Sequence, residues 1–188
     1  GGDGSAGYEG DGVPLSQARF YWPQDVFVDS SGRIYILDWN NHRVRMAPLP
    51  NGIINTVIGS GFLGDGTSGP ATGINLNHPT GLTMDSQGRL VLAAWHNWKV
   101  KRVNADGNVQ VLAGTSQGFS GDGGPANKAQ MDLPSSAEYD AAGNLYISDQ
   151  GNRRIRKVDP SGIITTFAGT GVAGYAGAGG AAIAAQFN

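Results

Sequence analysis

The sequence predicts an all-β fold, a β-propeller of four-stranded antiparallel blades with three complete blades in this chain, and three observations carry it. The chain repeats: Pro23, Pro79 and Pro134 stand 56 and 55 residues apart and open the same series of segments. A period of this length, holding four β-type segments, belongs to a repeating array rather than one irregular core. Tight-turn signals recur in phase, as Asp29-Ser-Ser-Gly32, Asp85-Ser-Gln-Gly88 and Asp140-Ala-Ala-Gly143. Apolar and basic segments recur between them. Arg33–Asp38, Arg89–Ala94 and Asn144–Asp149 correspond, as do Asn41–Arg45, Asn97–Lys101 and Asn152–Arg156, and then Ile58-Gly-Ser60, Ala113-Gly-Thr115 and Ala168-Gly-Thr170.

The third repeat shows each element in order. Ser135 to Asp140 enters after a proline and reads as a first strand. Asp140–Gly143 turns the chain, with glycine supplying a positive φ that other residues resist. Asn144 to Asp149 is a second strand, and Gln150-Gly151-Asn152 a second turn. Arg153 to Val158 alternates basic and apolar, as a strand with one wet face does. Asp159-Pro-Ser-Gly162 is the third turn, and Ile163 to Ala168 a β-branched fourth strand. Four such strands make one blade. Glycine-rich links join the repeats: Gly7–Gly12, Gly61–Pro70, Gly118–Ala126 and Gly174–Gly180. The alanine-rich tail of each link, as in Ala126–Met131, is long enough for a single helical turn and too short for an independent helix.

Composition removes several classes. The net charge of −2 and pI near 5.8 give no global attraction to phosphate backbones or anionic lipid. Zero cysteines exclude disulfides and thiolate metal sites. No apolar run reaches membrane-spanning length. The 31 glycines are about twice the usual share, and they fall at repeated turn positions, so they mark order rather than disorder. The chain shows neither an initiator Met nor a leader, and is read as trimmed or processed.

Asn144-Leu-Tyr-Ile-Ser-Asp149, Asn152-Arg-Arg-Ile-Arg-Lys157 and Asn41-His-Arg-Val-Arg45 resemble the NHL-repeat family of β-propellers. The Ala-Gly-Thr-Gly…Gly-Asp-Gly-Gly-Pro-Ala links resemble its long-repeat, bacterial and teneurin-like subtype. The resemblance implies an extracellular or periplasmic location, and binding of proteins, RNA or glycans, with a few propellers of similar build acting as lyases or lactonases. The second repeat departs most: Ala94 replaces a strand-end Asp, and Trp98-Lys99 a basic pair.

The whole of residues 1–188 reads as one propeller segment, with blades at approximately 20–60, 76–115 and 131–170. Three blades fall short of the roughly four to eight that close a ring. Two explanations stand: a longer parent chain supplies the rest of a six-bladed ring, or a homodimer completes it from two halves. The duplicated link at both ends favours the longer chain.

In up-and-down blades, alternate turns emerge on opposite faces. The near-identical Asp-x-x-Gly turns occupy one face and explain themselves as folding signals. The face carrying the second-to-third turns holds the positions at which repeats differ, so specificity is expected there. The candidate ligand- or partner-binding residues are Trp22, Trp39, Asn40, His78, Trp95, His96, Asp132 and Gln150. An aromatic rim with polar neighbours suits a protein or carbohydrate through stacking and a few directed hydrogen bonds. The competing account is that these tryptophans pack between blades.

Nine of the 13 Lys and Arg fall in the third strands, beside Asp38 and Asp149. Interblade ion pairing explains both signs at once, so nucleic acid is not the expected partner. Amidating lyases of similar appearance hold zinc with channel histidines. Here His42, His78 and His96 occupy three different repeat positions and lack metal-ligand spacing, so no metal and no cofactor is expected. Asp11, Asp65 and Asp122 of the Gly-Asp-Gly links each offer one carboxylate, too few for Ca²⁺, and read as turn stabilisers. No nucleophile–base constellation is legible. The expected function is a non-catalytic scaffold presenting a recognition surface; a fragment of a lyase- or lactonase-type propeller with a channel metal, or a structural spacer in a larger surface protein, are the alternatives.

Overall fold

The computed structural model describes residues 2–188. Fourteen strands among them form three antiparallel sheets. Blade 1 comprises β1 (Val13–Pro14), β2 (Pro23–Val28), β3 (Arg33–Asp38), β4 (Arg43–Pro48) and β5 (Ile53–Ile58). Blade 2 comprises β6 (Gly69–Pro70), β7 (Pro79–Met84), β8 (Leu90–Ala94), β9 (Lys99–Val103) and β10 (Asn108–Ala113). Blade 3 comprises β11 (Pro134–Tyr139), β12 (Leu145–Asp149), β13 (Arg154–Val158) and β14 (Ile164–Ala168). Each is a meander in chain order, and the short strand of the preceding link adds to its outer edge, as β1 on β5 and β6 on β10. Blade 3 has the same contact as a single bridge, Pro125 with Ile163. The chain is therefore a partial β-propeller.

Local chemistry dictates the repeat. In each first turn the Asp side chain accepts two backbone N–H bonds, from Ser31 and Arg33 at Asp29 (2.9 and 3.0 Å), and from Ala142 and Asn144 at Asp140 (both 2.9 Å). Gly32, Gly88 and Gly143 close these turns at φ 74°, 72° and 82°, where a side chain is strained. The alanine-rich tails each form one 3₁₀ turn, at Leu15–Gln17, Ala71–Gly73, Ala126–Lys128 and Ala182–Ala184.

The first strands line a common inner edge. The Leu82 N–H donates to Asp25 Oδ2 (2.8 Å) between blades 1 and 2, and Thr83 Oγ1 to Glu138 Oε2 (2.8 Å) between blades 2 and 3. At Gly81 a Cβ would lie 2.8 Å from the Ser135 carbonyl, so the close approach of β7 and β11 requires glycine. Each first strand carries a bulge after its proline, which bends it as it enters the sheet.

Apolar cores lie between the blades. Tyr35, Leu37, Val44 and Ile58 of blade 1 meet Leu82, Leu90 and Leu92 of blade 2, with Ile74 and Leu76 of the link wedged among them. Val91 and Val100 of blade 2 meet Ala137, Leu145 and Ile147 of blade 3 around Met131. The outer sides of the end blades lack such partners. Val26 is 60% exposed, whereas Leu82 and Ala137 at the same phase are 4% and 3%.

The third strands hold buried cations, and their partners correct two expectations. Arg45, Lys101 and Arg156 clamp the link that precedes their own blade, so the ladder is not an interblade one. Arg156 reaches Asp122 (2.7 Å) and Asp149 (3.3 Å), and Arg45 lies 3.5 Å from Asp11. The link carboxylates are thus the counter-ions of buried cations rather than stabilisers of their own turns. Asp65 is also not equivalent to Asp11 and Asp122. Asn41, Asn97 and Asn152 donate to the Gly7, Gly64 and Gly118 carbonyls, which aligns Asp65 with Tyr8 and Phe119. Those rings lie over paired guanidiniums, Tyr8 over Arg43 and Arg45 (4.3 and 5.0 Å) and Phe119 over Arg154 and Arg156 (3.9 and 4.8 Å). Asp65 instead joins Lys99 and Lys101 (2.5 and 3.0 Å).

Candidate functional site

The second-to-third turns are 3₁₀ turns, at Trp39–Asn41, Trp95–Asn97 and Gln150–Asn152, and each ends on a left-handed residue: His42, Trp98 or Arg153, φ 52°, 54° and 52°. A second left-handed position precedes each first strand, at Trp22, His78 and Leu133 (φ 54°, 49° and 50°). The two positions are tied together by the backbone, since the N–H groups of Asn40, His96 and Gly151 donate to the carbonyls of Tyr21, Asn77 and Asp132. Bulky residues in this conformation are uncommon and persist only where the surroundings hold them. Here it is a property of the repeat, and it stacks the side chains of both positions on one face.

On blades 1 and 2, Trp22 and His78 of the second position join Tyr21 and the turn residues Trp39, Trp95 and His96 in a continuous row of rings. Centroid separations run 5.5 Å from Tyr21 to Trp22, 5.8 Å to Trp39, 4.2 Å to His78, 5.0 Å to His96 and 4.1 Å to Trp95. Trp39 and Trp95 are half-buried, so each ring is partly packed and partly open to solvent. Trp22 is 61% exposed, at the open side of blade 1. Asn40 lies beside the row on the blade 1 turn. Asp132 and Gln150 stand apart from it on blade 3, where Asp132 accepts at its carbonyl from Gly151 and its buried Oδ1 has no partner. Gln150 lines a small hollow with Arg153 and Phe187 at the open side of that blade.

The three histidines do meet, contrary to the expectation from their repeat positions. The His78 N–H approaches His42 Nδ1 (3.4 Å), and His78 Nδ1 lies 3.0 Å from His96 Nδ1 and 2.7 Å from Asn77 Oδ1. The reason is that the left-handed His42 of blade 1 and His78 of blade 2 are neighbours across the junction, while the His96 N–H bond to the Asn77 carbonyl holds the blade 2 turn beside His78. His42 and Asn77 lie outside the sequence-derived set of binding residues, and tertiary packing brings them to the row. Burial lowers all three imidazoles from their ordinary range, and His78, with His42 and His96 adding repulsion, falls to about 4. The row is uncharged at neutral pH. No three His, Asp or Glu side chains among the described residues are arranged around one metal position.

The opposite face holds a cavity of about 500 Å³ between blades 2 and 3, lined by Asp85, Arg89, Arg102, Tyr139, Asp140 and Asp159. Its carboxylates are committed locally. Asp85 pairs with Arg89 (2.7 Å), Asp140 accepts from Asn144 and Asp159 from Ser161. This leaves the ring-bearing face as the better candidate, because its groups are not consumed by their own turns.

Comparison with known proteins agrees with the fold. The NHL repeat family matches residues 20–45. Mouse (Mus musculus) teneurin-4 is 32% identical over 167 residues and mouse teneurin-1 33% over 171, matches that cover 77% and 78% of this chain. The chain spans only 6% of either teneurin. Among solved structures, an auxiliary nutrient binding protein from Bacteroides ovatus superposes with a TM-score of 0.61 at 18% identity, over 81% of this chain and 38% of that one. With its repeated blades, its matching motif and these relatives, the chain belongs to the NHL-repeat family of β-propeller proteins.

Proposed function

We propose that this chain is a non-catalytic propeller segment that presents a protein- or carbohydrate-recognition surface on the face bearing the second-to-third turns, in an extracellular or periplasmic setting. The observation that carries the reading is the contrast between the two faces. The first turns repeat one Asp-x-x-Gly solution, while the ring-bearing face places Trp39, His78, Trp95 and His96 at one blade junction and different residues at the next. Uncharged aromatic rings flanked by Asn40 and Asn77 offer stacking and short polar contacts, the means by which sugars and peptides are held. The name of the Bacteroides ovatus neighbour, a nutrient binding protein, agrees with a binding role at the level of shared fold.

The test is calorimetric titration of the chain with a panel of soluble oligosaccharides and extended peptides, repeated on the Trp39→Ala/Trp95→Ala variant. A ligand whose binding disappears in the double variant supports the surface. A ligand bound equally well by both proteins moves recognition elsewhere. If Trp22, Trp39 and Trp95 can be replaced together with no loss of any partner, the chain is a spacer.

A further inference from the structure

We propose that Asn77, His78 and His96 form a binding site for a borderline divalent metal of tetragonal preference, Cu²⁺ above Ni²⁺. Two donor atoms flank a third: His78 Nδ1 is 3.0 Å from His96 Nδ1 and 2.7 Å from Asn77 Oδ1. At metal–donor bonds of about 2.0–2.1 Å, donors at right angles stand about 2.9 Å apart, and tetrahedral donors about 3.3–3.4 Å. The observed separations match the right-angled edge, which is the geometry of a square-planar or tetragonal centre and not of structural zinc. Two imidazoles and an amide oxygen are the donor types that Cu²⁺ and Ni²⁺ take, with solvent completing the set.

The donors already lie side by side, and metal binding requires one proton to move. One proton lies among the three donors, because His78 Nδ1 cannot both donate to Asn77 Oδ1 and accept from His96. When the metal occupies that point the proton moves through solvent to an Nε2, and both Nδ1 lone pairs turn inward. His42 supports the arrangement from blade 1 by accepting the His78 N–H, which helps to hold β7 at its start. The inference is independent of the recognition reading, since metal binding is measured with no partner present.

The experiment is a Cu²⁺ titration of the full chain followed by electron paramagnetic resonance and tryptophan emission. The expected result is an axial spectrum with hyperfine structure from two imidazole nitrogens, with quenching of Trp39 and Trp95, whose rings lie 4.2 and 4.1 Å from those of His78 and His96. His78→Gln and His96→Gln should each weaken binding at least tenfold, since losing even a supporting residue of a metal site costs about 10–100-fold. Mg²⁺ and Ca²⁺ should neither quench nor compete. A wild-type spectrum without nitrogen hyperfine structure, or Cu²⁺ affinity unchanged in the two variants, overturns the site. The wild-type spectrum decides the question even if a variant fails to fold.

Discussion

Blades 1 and 3 are built one way and blade 2 another. In blades 1 and 3, Asp38 and Asp149 end the second strand, accept the Tyr21 and Asp132 N–H groups (2.8 and 2.7 Å) and bind Asn41 and Asn152. Their third strands carry arginines capped by an aromatic ring. Blade 2 has Ala94 at the strand end, so Asn97 Oδ1 takes over the bond to the Asn77 N–H (3.0 Å). Its third strand carries lysines, and Asp65 stands where the ring would be. The substitutions form a set. With no carboxylate at position 94 an arginine at 101 would lack the partner that Asp149 gives Arg156, whereas Lys101 pairs with Asp65 alone. A buried network can thus be rewritten if every donor and acceptor finds a new partner together.

The comparison is most exposed to failure at the buried cations. Arg156→Ala leaves the Asp149 carboxylate buried beside nothing positive, and should cost about 3–5 kcal/mol. Lys101→Ala leaves Asp65, which is 38% exposed, on Lys99 and removes the donor to the Gly66 carbonyl, and should cost about 1–3 kcal/mol. Equal shifts in denaturant midpoint for the two variants would refute the division between blades. Asn97→Ala removes the sole acceptor for the Asn77 N–H together with a bond to Gly64, whereas Asn152→Ala leaves Asp149 on the Asp132 N–H. The first should cost about 2 kcal/mol and the second about 1 kcal/mol in the same assay.

Phe119→Leu keeps bulk but removes the ring over Arg154 and Arg156, for a loss of about 1 kcal/mol. Asp65 needs no ring, so the corresponding shift has no counterpart in blade 2. The remaining effect, absent at neutral pH, is on pH dependence. His78 titrates near 4 in the fold and near its ordinary 6.5 when unfolded, so the unfolded chain binds more protons between those values. Stability from this group is complete above about 6.5 and is lost as pH falls toward 4. His78→Gln should flatten that limb of a plot of melting temperature against pH. An unchanged slope would assign the acid sensitivity to other groups.

Much of the architecture was legible because it rests on local rules. Asp140–Gly143 turns for reasons held within four residues, and Leu145–Asp149 and Arg154–Val158 show the alternation of half-wet strands. The candidate row of rings was legible only in part. Trp39, His78, Trp95 and His96 were identifiable as variable positions on one face, but Asp132 and Gln150, chosen on the same ground, lie outside the row. Asp65 was misaligned because link 2 places one more residue before the position and one fewer after it, a shift that tertiary bonds such as Asn97–Gly64 and Gly64–Leu76 expose.

By itself, the sequence determined the repeat, the strands, the turns and the all-β class, since each follows from φ preferences and side-chain alternation over a few neighbouring residues. Only tertiary structure decided which link residue meets which third-strand cation, and that His42, His78 and His96 share one junction. Those outcomes depend on distances across blades, between residues up to dozens of positions apart, where a one-residue change in a link alters the partner without altering any local signal.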